Sequence, residues 1–323
     1  MLTLLKNIPM AMCGLILGLV SLGNLLVNLG AVVVGNVVGI IGMLLMMIVL
    51  MKVILTFTSV QDELMNPFTA GTLPTFTMAL MIIAVFWARW GWSTVGLSLW
   101  WLALITHVIL MIAFCYVHFM AHRISATDIY PSWFVMFVGI GVIPVTATPF
   151  SPATGRLFLV LALGLYAIVF PIVMWRLFWH RRLAENALPY LMIIAAPASL
   201  CLTGYLNMTP TLNVAVAVGL ALFAQALYVI TVGFMVRLYV IGQHSLIRFY
   251  PSFAALTFPL VISATGFLTL LKRLGVTGQW WNIAANVELG VAFIMVMFVL
   301  GHYLRFLVGN VKTVMTQKRS VNE

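Results

Sequence analysis

The chain has 323 residues, of which 64% are hydrophobic and 7% are charged. Soluble domains are about 45–50% apolar and about 25% charged, and six acidic residues cannot cover the surface of a soluble fold of this size. The composition excludes a soluble enzyme, a nucleic-acid-binding module and a secreted disulfide scaffold, and predicts a chain that lies mostly in a bilayer. The net charge of +10 indicates membrane topology and contact with anionic lipid, because the basic residues sit at the ends of apolar runs.

Ten long apolar runs follow one another along the chain. A helix needs about 20 apolar residues to cross the hydrocarbon of a bilayer, and only helices or closed barrels satisfy their backbone groups there. Apolar and polar residues do not alternate with a period of two within these runs, as they would in the strands of a barrel. The runs therefore predict an all-α integral membrane protein with ten transmembrane helices. The stretches between the runs are short, so we expect residues 1–323 to form a single transmembrane domain with no separate soluble domain. The predicted spans are residues 8–28, 32–57, 72–88, 93–121, 132–148, 157–179, 189–208, 212–240, 251–271 and 280–307.

The basic residues predict the orientation of these spans. The first run is longer than a signal peptide and lacks a clear cleavage site, so we expect it to remain as the first span. With the N-terminus inside, twelve of the 16 Lys and Arg residues fall on the cytoplasmic side, which is the bias of the positive-inside rule. We therefore expect both termini to be cytoplasmic and the membrane to be a bacterial inner membrane. The four basic residues on the outside are Arg89, Arg156, Lys272 and Arg273.

Prolines recur in the odd-numbered spans. Each of these spans opens near a proline, and four carry a second proline deeper in the helix, where it removes a backbone hydrogen bond and kinks the helix. Among the even-numbered spans only the sixth has an interior proline, Pro171. Proline is also common in membrane helices, but the odd–even difference favours five kinked helices around a shared axial space, with the even helices outside. The opening prolines are Pro9, Pro67, Pro131, Pro189 and Pro251, and the deeper ones are Pro74, Pro144, Pro197 and Pro259.

Five short motifs, in order and at this spacing, resemble the tellurite-resistance/dicarboxylate transporter family. This family includes the bacterial TehA proteins, fungal malate and sulfite transporters and the slow-type anion channel of plant guard cells. The resemblance covers essentially the whole chain. The motifs are GLILGL at residues 14–19, GTLP at 71–74, PSWF at 131–134, LPY at 188–190 and TFPL at 257–260.

The resemblance implies ten helices arranged as five helical hairpins in quasi-fivefold symmetry, with the odd helices lining a central pore and the even helices outside. It also implies a homotrimer with one pore per subunit, and a phenylalanine on the ninth helix that blocks the pore. The matching position here is Phe258. The first helix departs from the proline pattern, since it carries Gly14 and Gly18 where the other odd helices have a second proline.

The predicted pore helices carry almost no formal charge, and such a path can pass an ion without trapping it. We expect backbone, small residues and hydroxyl groups to line it. Anion preference would come from the basic excess around the mouths and from hydroxyl and amide donors, while carbonyls freed by proline favour cations; the preference for anions therefore depends more on the resemblance. The candidate pore hydroxyls are Thr72, Thr75, Thr146, Ser199 and Ser263.

Glu288 is the only carboxylate in the core of a predicted span, and an intramembrane ionisable group is a functional candidate by default. It is the obvious site for proton coupling. The alternative, which we favour because an even helix should lie in the outer ring, is a Glu paired with a nearby partner: Asn282, Asn286, Lys272 or Arg273. His107 also lies within a span and has no assigned role.

The residues form no constellation for catalysis. His118 and His122 have the spacing of a metal pair, but they lie at a helix end where an interfacial role is favoured, and Asp62 and Glu63 stand in a loop without further acids. We therefore expect no enzyme, no metal and no cofactor. Two functions stay open: an anion channel gated at Phe258, and a proton-coupled carrier of a C4-dicarboxylate, sulfite or tellurite-type oxyanion. The expected partners are small inorganic or organic anions and membrane lipid, and not nucleic acid.

Overall fold

The computed structural model describes residues 2–121, 124–180, 183–241 and 248–322, and these residues form helices and no β-strand. Among them, eight helices are long and apolar enough to cross a membrane, and two further apolar helices are shorter. In chain order, we label the ten helices α1 (Met12–Asn28), α2 (Val32–Leu55), α3 (Pro67–Arg89), α4 (Ser93–Met120), α5 (Phe134–Thr146), α6 (Pro152–Trp179), α7 (Glu185–Met208), α8 (Val214–Val240), α9 (Pro251–Leu274) and α10 (Gln279–Asn322).

Burial divides the long helices into two groups. In the most apolar window of each helix, 78–89% of the residues are buried in α3, α7 and α9, but only 28–39% in α2, α4, α6, α8 and α10. The exposed faces of the even helices are themselves apolar, with Val33, Leu102 and Leu222 all more than 60% exposed. Surfaces of this kind suit contact with lipid and not with water.

Contacts between the odd-numbered helices close into a ring. Helix α1 packs on α3, α3 on α5, α5 on α7, α7 on α9, and α9 returns to α1. Each odd helix also packs against the even helix that follows it in the chain. The odd helices therefore surround a common centre, and the even helices bring their apolar faces to the outside.

The odd helices change their geometry near the second proline. In α7 and α9 a 3₁₀ segment leads into an α-helix, and the proline occupies the first turn of the α-helical part. A proline there loses no helical hydrogen bond, because the first N–H groups of a helix have no partner within it. The proline therefore begins an α-helix and does not bend one from within. The segments are Glu185–Ala195 followed by Ala196–Met208, with Pro197, and Pro251–Leu256 followed by Phe258–Leu274, with Pro259.

The other three odd helices vary this arrangement. In α3 the α-helical part starts at Thr75 with Pro74 as its N-cap. In α5 a π-helical and a 3₁₀ segment precede the short α-helix Val142–Thr146, which contains Pro144. Helix α1 is a continuous α-helix through Gly14 and Gly18, so no kink occurs where the other odd helices carry the second proline.

Several boundaries differ from the sequence predictions. Helix α10 continues past residue 307 to Asn322, and Asp62 and Glu63 lie on a short helix, Phe57–Met65, instead of a loop. His118 Nε2 is 2.9 Å from the carbonyl oxygen of Leu64 on that helix, which gives this histidine a structural contact. The other member of the candidate metal pair, and three of the basic residues counted for topology, lie outside the described residues: His122, Arg123, Arg181 and Arg182.

Candidate functional site

A narrow cavity lies at the centre of the ring of odd helices. Its volume is about 50 Å³ when measured by the positions open to the centre of a water-sized sphere, and one water molecule needs about 10–15 Å³ on this measure. Among the described residues, its walls come from all five odd helices and the residue before α1, and from no even helix. The walls include Gly14 of α1, Thr75 of α3, Val138 of α5, Pro197 of α7 and Phe258 of α9.

A second, wider cavity of about 490 Å³ lies where α1, α3, α7 and α9 begin. We call it the vestibule. It shares Ala11, Tyr190 and Ser252 with the central cavity, so the two cavities adjoin each other. Glu63 and Arg248 are among the charged residues of the vestibule wall.

Phe258 stands in the wall of the central cavity, at the point where α9 changes from 3₁₀ to α geometry, and is only 6% exposed. The residue before it contacts α1, since the hydroxyl of Thr257 lies 2.6 Å from the carbonyl oxygen of Ala254 in its own helix and 3.0 Å from that of Gly14 in α1. A Cβ at Gly18 would lie 2.6 Å from the Thr257 side chain, so glycine is needed there for α1 to approach α9. The close contact of the two helices therefore sets the position of Phe258.

The structure divides the five candidate pore hydroxyls. Thr72 and Thr75 line the central cavity, while Thr146, Ser199 and Ser263 are buried outside its described wall. These three have contacts elsewhere in the helix packing: Thr146 accepts a hydrogen bond from Trp100, Ser199 donates to the carbonyl oxygen of Ala195, and Ser263 donates to a carboxylate.

The two hydroxyls in the cavity wall also use their protons within the helix. Thr72 Oγ1 donates to the carbonyl oxygen of Thr69 at 2.8 Å, and Thr75 Oγ1 donates to that of Thr72 at 2.7 Å. Because each hydroxyl has a single proton, neither has a free donor for an anion in this arrangement. This differs from the sequence expectation that hydroxyl donors attract anions.

The candidate kink residues are divided in the same way. Gly14, Pro197 and Pro259 line the central cavity. The other three lie in helix contacts outside its described wall. Gly18 faces Thr257, the ring of Pro144 would be 3.0 Å from a Cβ at Gly204, and the carbonyl oxygen of Pro74 accepts a hydrogen bond from Thr77.

Glu288 is buried between helices and is not part of the described cavity walls. Ser263 of α9 donates a hydrogen bond to Glu288 Oε2 at 3.1 Å. The predicted partner Asn282 bonds instead to the carbonyl oxygens of Thr277 and Gly278. The carboxylate thus links α10 to α9, because its partner lies on the neighbouring helix and not on its own.

His107 lies on the outer helix α4 but contacts the inner ring. Its Nδ1 is 2.8 Å from Thr77 Oγ1 on α3, and its Nε2 has no hydrogen-bond partner among the described residues. Because the Thr77 hydroxyl donates to Pro74, it accepts from Nδ1, which assigns the proton of the neutral ring to Nδ1. The ring reaches the back of the cavity wall at Gly139, where an added Cβ would lie 3.2 Å from His107 Cε1.

Sequence reasoning missed an ion pair beside the vestibule. Lys52, near the end of α2, is fully buried, and its Nζ lies 2.5 Å from Glu63 Oε1. A lysine inside an apolar run, followed eleven residues later by a glutamate, was the available signal. Tyr190 was also missed; it lies between the two cavities, and its ring stacks on that of Phe68 with the ring centroids 5.0 Å apart.

Comparison with known protein families gives one match. The sequence matches the SLAC1 family, described as voltage-dependent anion channels, over residues 7–304. No curated protein matches the chain. The family match spans all of the cavity and vestibule walls and confirms the resemblance drawn from the five motifs. It also identifies an anion channel or transporter, and the apolar helices are those of an integral membrane protein. The chain belongs to the voltage-dependent anion channel (SLAC1) family.

Proposed function

We propose that the protein is a passive anion channel whose path follows the axis of the odd-helix ring and is closed at Phe258. The observation that carries the proposal is that every odd helix contributes to one narrow cavity and that Phe258 stands in its wall. An aromatic ring in a narrow apolar constriction excludes water, and an ion cannot pass where its hydration is lost without replacement. The side chain therefore serves as the gate.

The proposed architecture is five helical hairpins in a quasi-fivefold arrangement, formed by ten transmembrane helices in one transmembrane domain. The ring of contacts and the burial difference between odd and even helices support it. We further propose a homotrimer with one pore per subunit in a bacterial inner membrane, with both termini in the cytoplasm. The excess of basic residues at one set of helix ends supports this orientation.

The preference for anions has support in the backbone. Helices α1, α3, α7 and α9 begin at the vestibule, with the first residues of their helical segments at Met12, Pro67, Glu185 and Pro251. A helix N-terminus carries partial positive charge, so these ends favour an anion at the mouth of the path. The described cavity wall contains no charged side chain, and an anion is therefore attracted without being held too strongly to leave.

A second candidate function, a proton-coupled carrier of a C4-dicarboxylate, sulfite or a tellurite-type oxyanion, has one observation in its favour. Glu288 is a carboxylate buried within the helix packing, which is the type of group that proton relays use. Its position away from the described cavity walls favours the channel, because a coupling group has to exchange protons along the transport path.

Glu288→Gln distinguishes the two functions. In planar bilayers with the gate opened by Phe258→Ala, and with a chloride gradient with and without a pH gradient, a channel gives a reversal potential that follows chloride and ignores pH, and adding Glu288→Gln changes nothing. We expect this result because Gln can still bond to Ser263. A reversal potential that moves with the proton gradient in the Phe258→Ala protein, and no longer does so after Glu288→Gln, would establish the carrier.

A further inference from the structure

Glu63 presents an electrostatic difficulty for an anion path. Its side chain is part of the vestibule wall and is 18% exposed. A lone carboxylate at the mouth of a pore attracts cations and repels anions, and rings of such residues are used by cation channels for that purpose. The described vestibule wall also contains one further acid and one base, Glu185 and Arg248, whose formal charges offset each other. The net charge of the wall therefore depends on whether the charge of Glu63 is compensated.

The structure supplies that compensation on both carboxylate oxygens. Lys52 Nζ lies 2.5 Å from Glu63 Oε1, and the backbone N–H of Met10 donates to Oε2 at 3.0 Å. The ammonium group of Lys52 also donates to the carbonyl oxygen of Ile8 at 2.5 Å. These contacts hold the ion pair against the chain segment that leads into α1.

The two partners differ in their access to the path. Glu63 contributes to the vestibule wall, whereas Lys52 is fully buried and is not part of that wall. The acid therefore faces the route of the ion and the base stands behind it. An ammonium group in this position cancels the negative charge without itself offering a binding site that would trap an anion.

We propose that Lys52 is a positioning and charge-compensating residue that makes the vestibule permissive to anions, by neutralising Glu63 and holding its carboxylate to the wall. This inference rests on the proposed function as an anion channel. It assigns opposite electrical effects to the two residues: loss of Lys52 leaves an unpaired carboxylate at the mouth, whereas loss of Glu63 does not.

The test uses the full chain with the gate opened by Phe258→Ala, in planar bilayers under a KCl gradient. The measured quantity is the chloride-to-potassium permeability ratio. We expect Lys52→Met to lower this ratio by at least about threefold, the size expected of one unit charge near the path in a water-like medium. Glu63→Gln should leave the ratio at or above that of the parent. The Lys52→Met/Glu63→Gln double variant should restore it, and Lys52→Arg, which keeps the charge, should resemble the parent.

The outcomes separate this inference from the function on which it rests. If the Phe258→Ala parent passes no chloride current, the proposed function fails. If the parent is anion-selective but Lys52→Met and Glu63→Gln change the ratio equally or not at all, or the double variant does not restore it, the pair only joins two segments and the inference is wrong. Folding of Lys52→Met is checked by gel filtration in detergent. If this variant does not fold, Glu63→Gln and the double variant still test the inference, because a chloride-to-potassium permeability ratio below that of the parent in either of them contradicts it.

Discussion

The Phe258→Ala variant is expected to conduct anions without any stimulus. Phe258 is part of the wall of the central cavity. If its ring is the gate that we propose, removing the ring widens the constriction and lets water and a hydrated ion enter. We expect the chloride flux into proteoliposomes to rise by about tenfold or more, which corresponds to a barrier lower by about 1.4 kcal/mol or more. Single-channel recording in a planar bilayer would show long openings in place of a closed baseline.

Phe267→Ala provides a matched control for this variant. Phe267 lies on the same α-helical part of α9 and is similarly buried, but it packs edge-on against Trp281 and is not part of the described cavity wall. The control should lose some stability, as large-to-small core changes do, and gain no conductance. Equal chloride fluxes for Phe258→Ala and the wild type, measured with equal amounts of folded protein, would show that Phe258 is not the gate.

Gly23→Val is expected to destabilise the hairpin of α1 and α2. A Cβ at Gly23 would lie 2.6 Å from the carbonyl oxygen of Gly35 and 2.8 Å from the backbone nitrogen of Gly39. Small residues let membrane helices approach this closely, and backbone atoms cannot move aside as a flexible side chain can. Overpacking costs about 1–3 kcal/mol or more, so we expect the thermal midpoint in detergent to fall by several degrees, as about 1 kcal/mol changes it by about 2–4 °C in large domains.

Gly219→Val is the matched control for stability. Gly219 lies within α8, and no atom of the described residues beyond its own chain neighbours and helix backbone is within 4 Å of a Cβ built there. The same change of side chain should therefore leave the thermal midpoint nearly unaltered. A Gly23→Val variant as stable as Gly219→Val would show that the close approach of α1 and α2 is not required.

Much of the helical framework could be predicted from the sequence because the bilayer imposes strong rules. Length and apolar composition predicted the eight described helices that are long enough to cross a membrane, whereas the helices in the first and fifth predicted spans, α1 and α5, are shorter. The prolines in the sequence indicated the positions at which the odd helices change geometry. A residue without an N–H can begin an α-helix but disrupts one when it lies in the interior. Pro197 and Pro259 both occupy such first turns.

The direction in which each side chain points could not be predicted in this way. In a soluble protein the apolar stripe of a helix identifies its buried face. Lipid is as apolar as a protein interior, so the lipid-facing and the protein-facing sides of a membrane helix have similar apolar compositions. Thr146 and Ser263 were therefore expected at the pore, although the structure packs them against Trp100 and Glu288.

The sequence by itself determined that this chain lies in a membrane, that it is helical, and that it belongs to a family of anion channels and transporters, because composition, span length and short motifs are local properties. The tertiary structure alone decided which residues share the central cavity and that Lys52 meets Glu63 beside Met10. These contacts join segments that are distant in the chain, and their geometry depends on how closely whole helices pack.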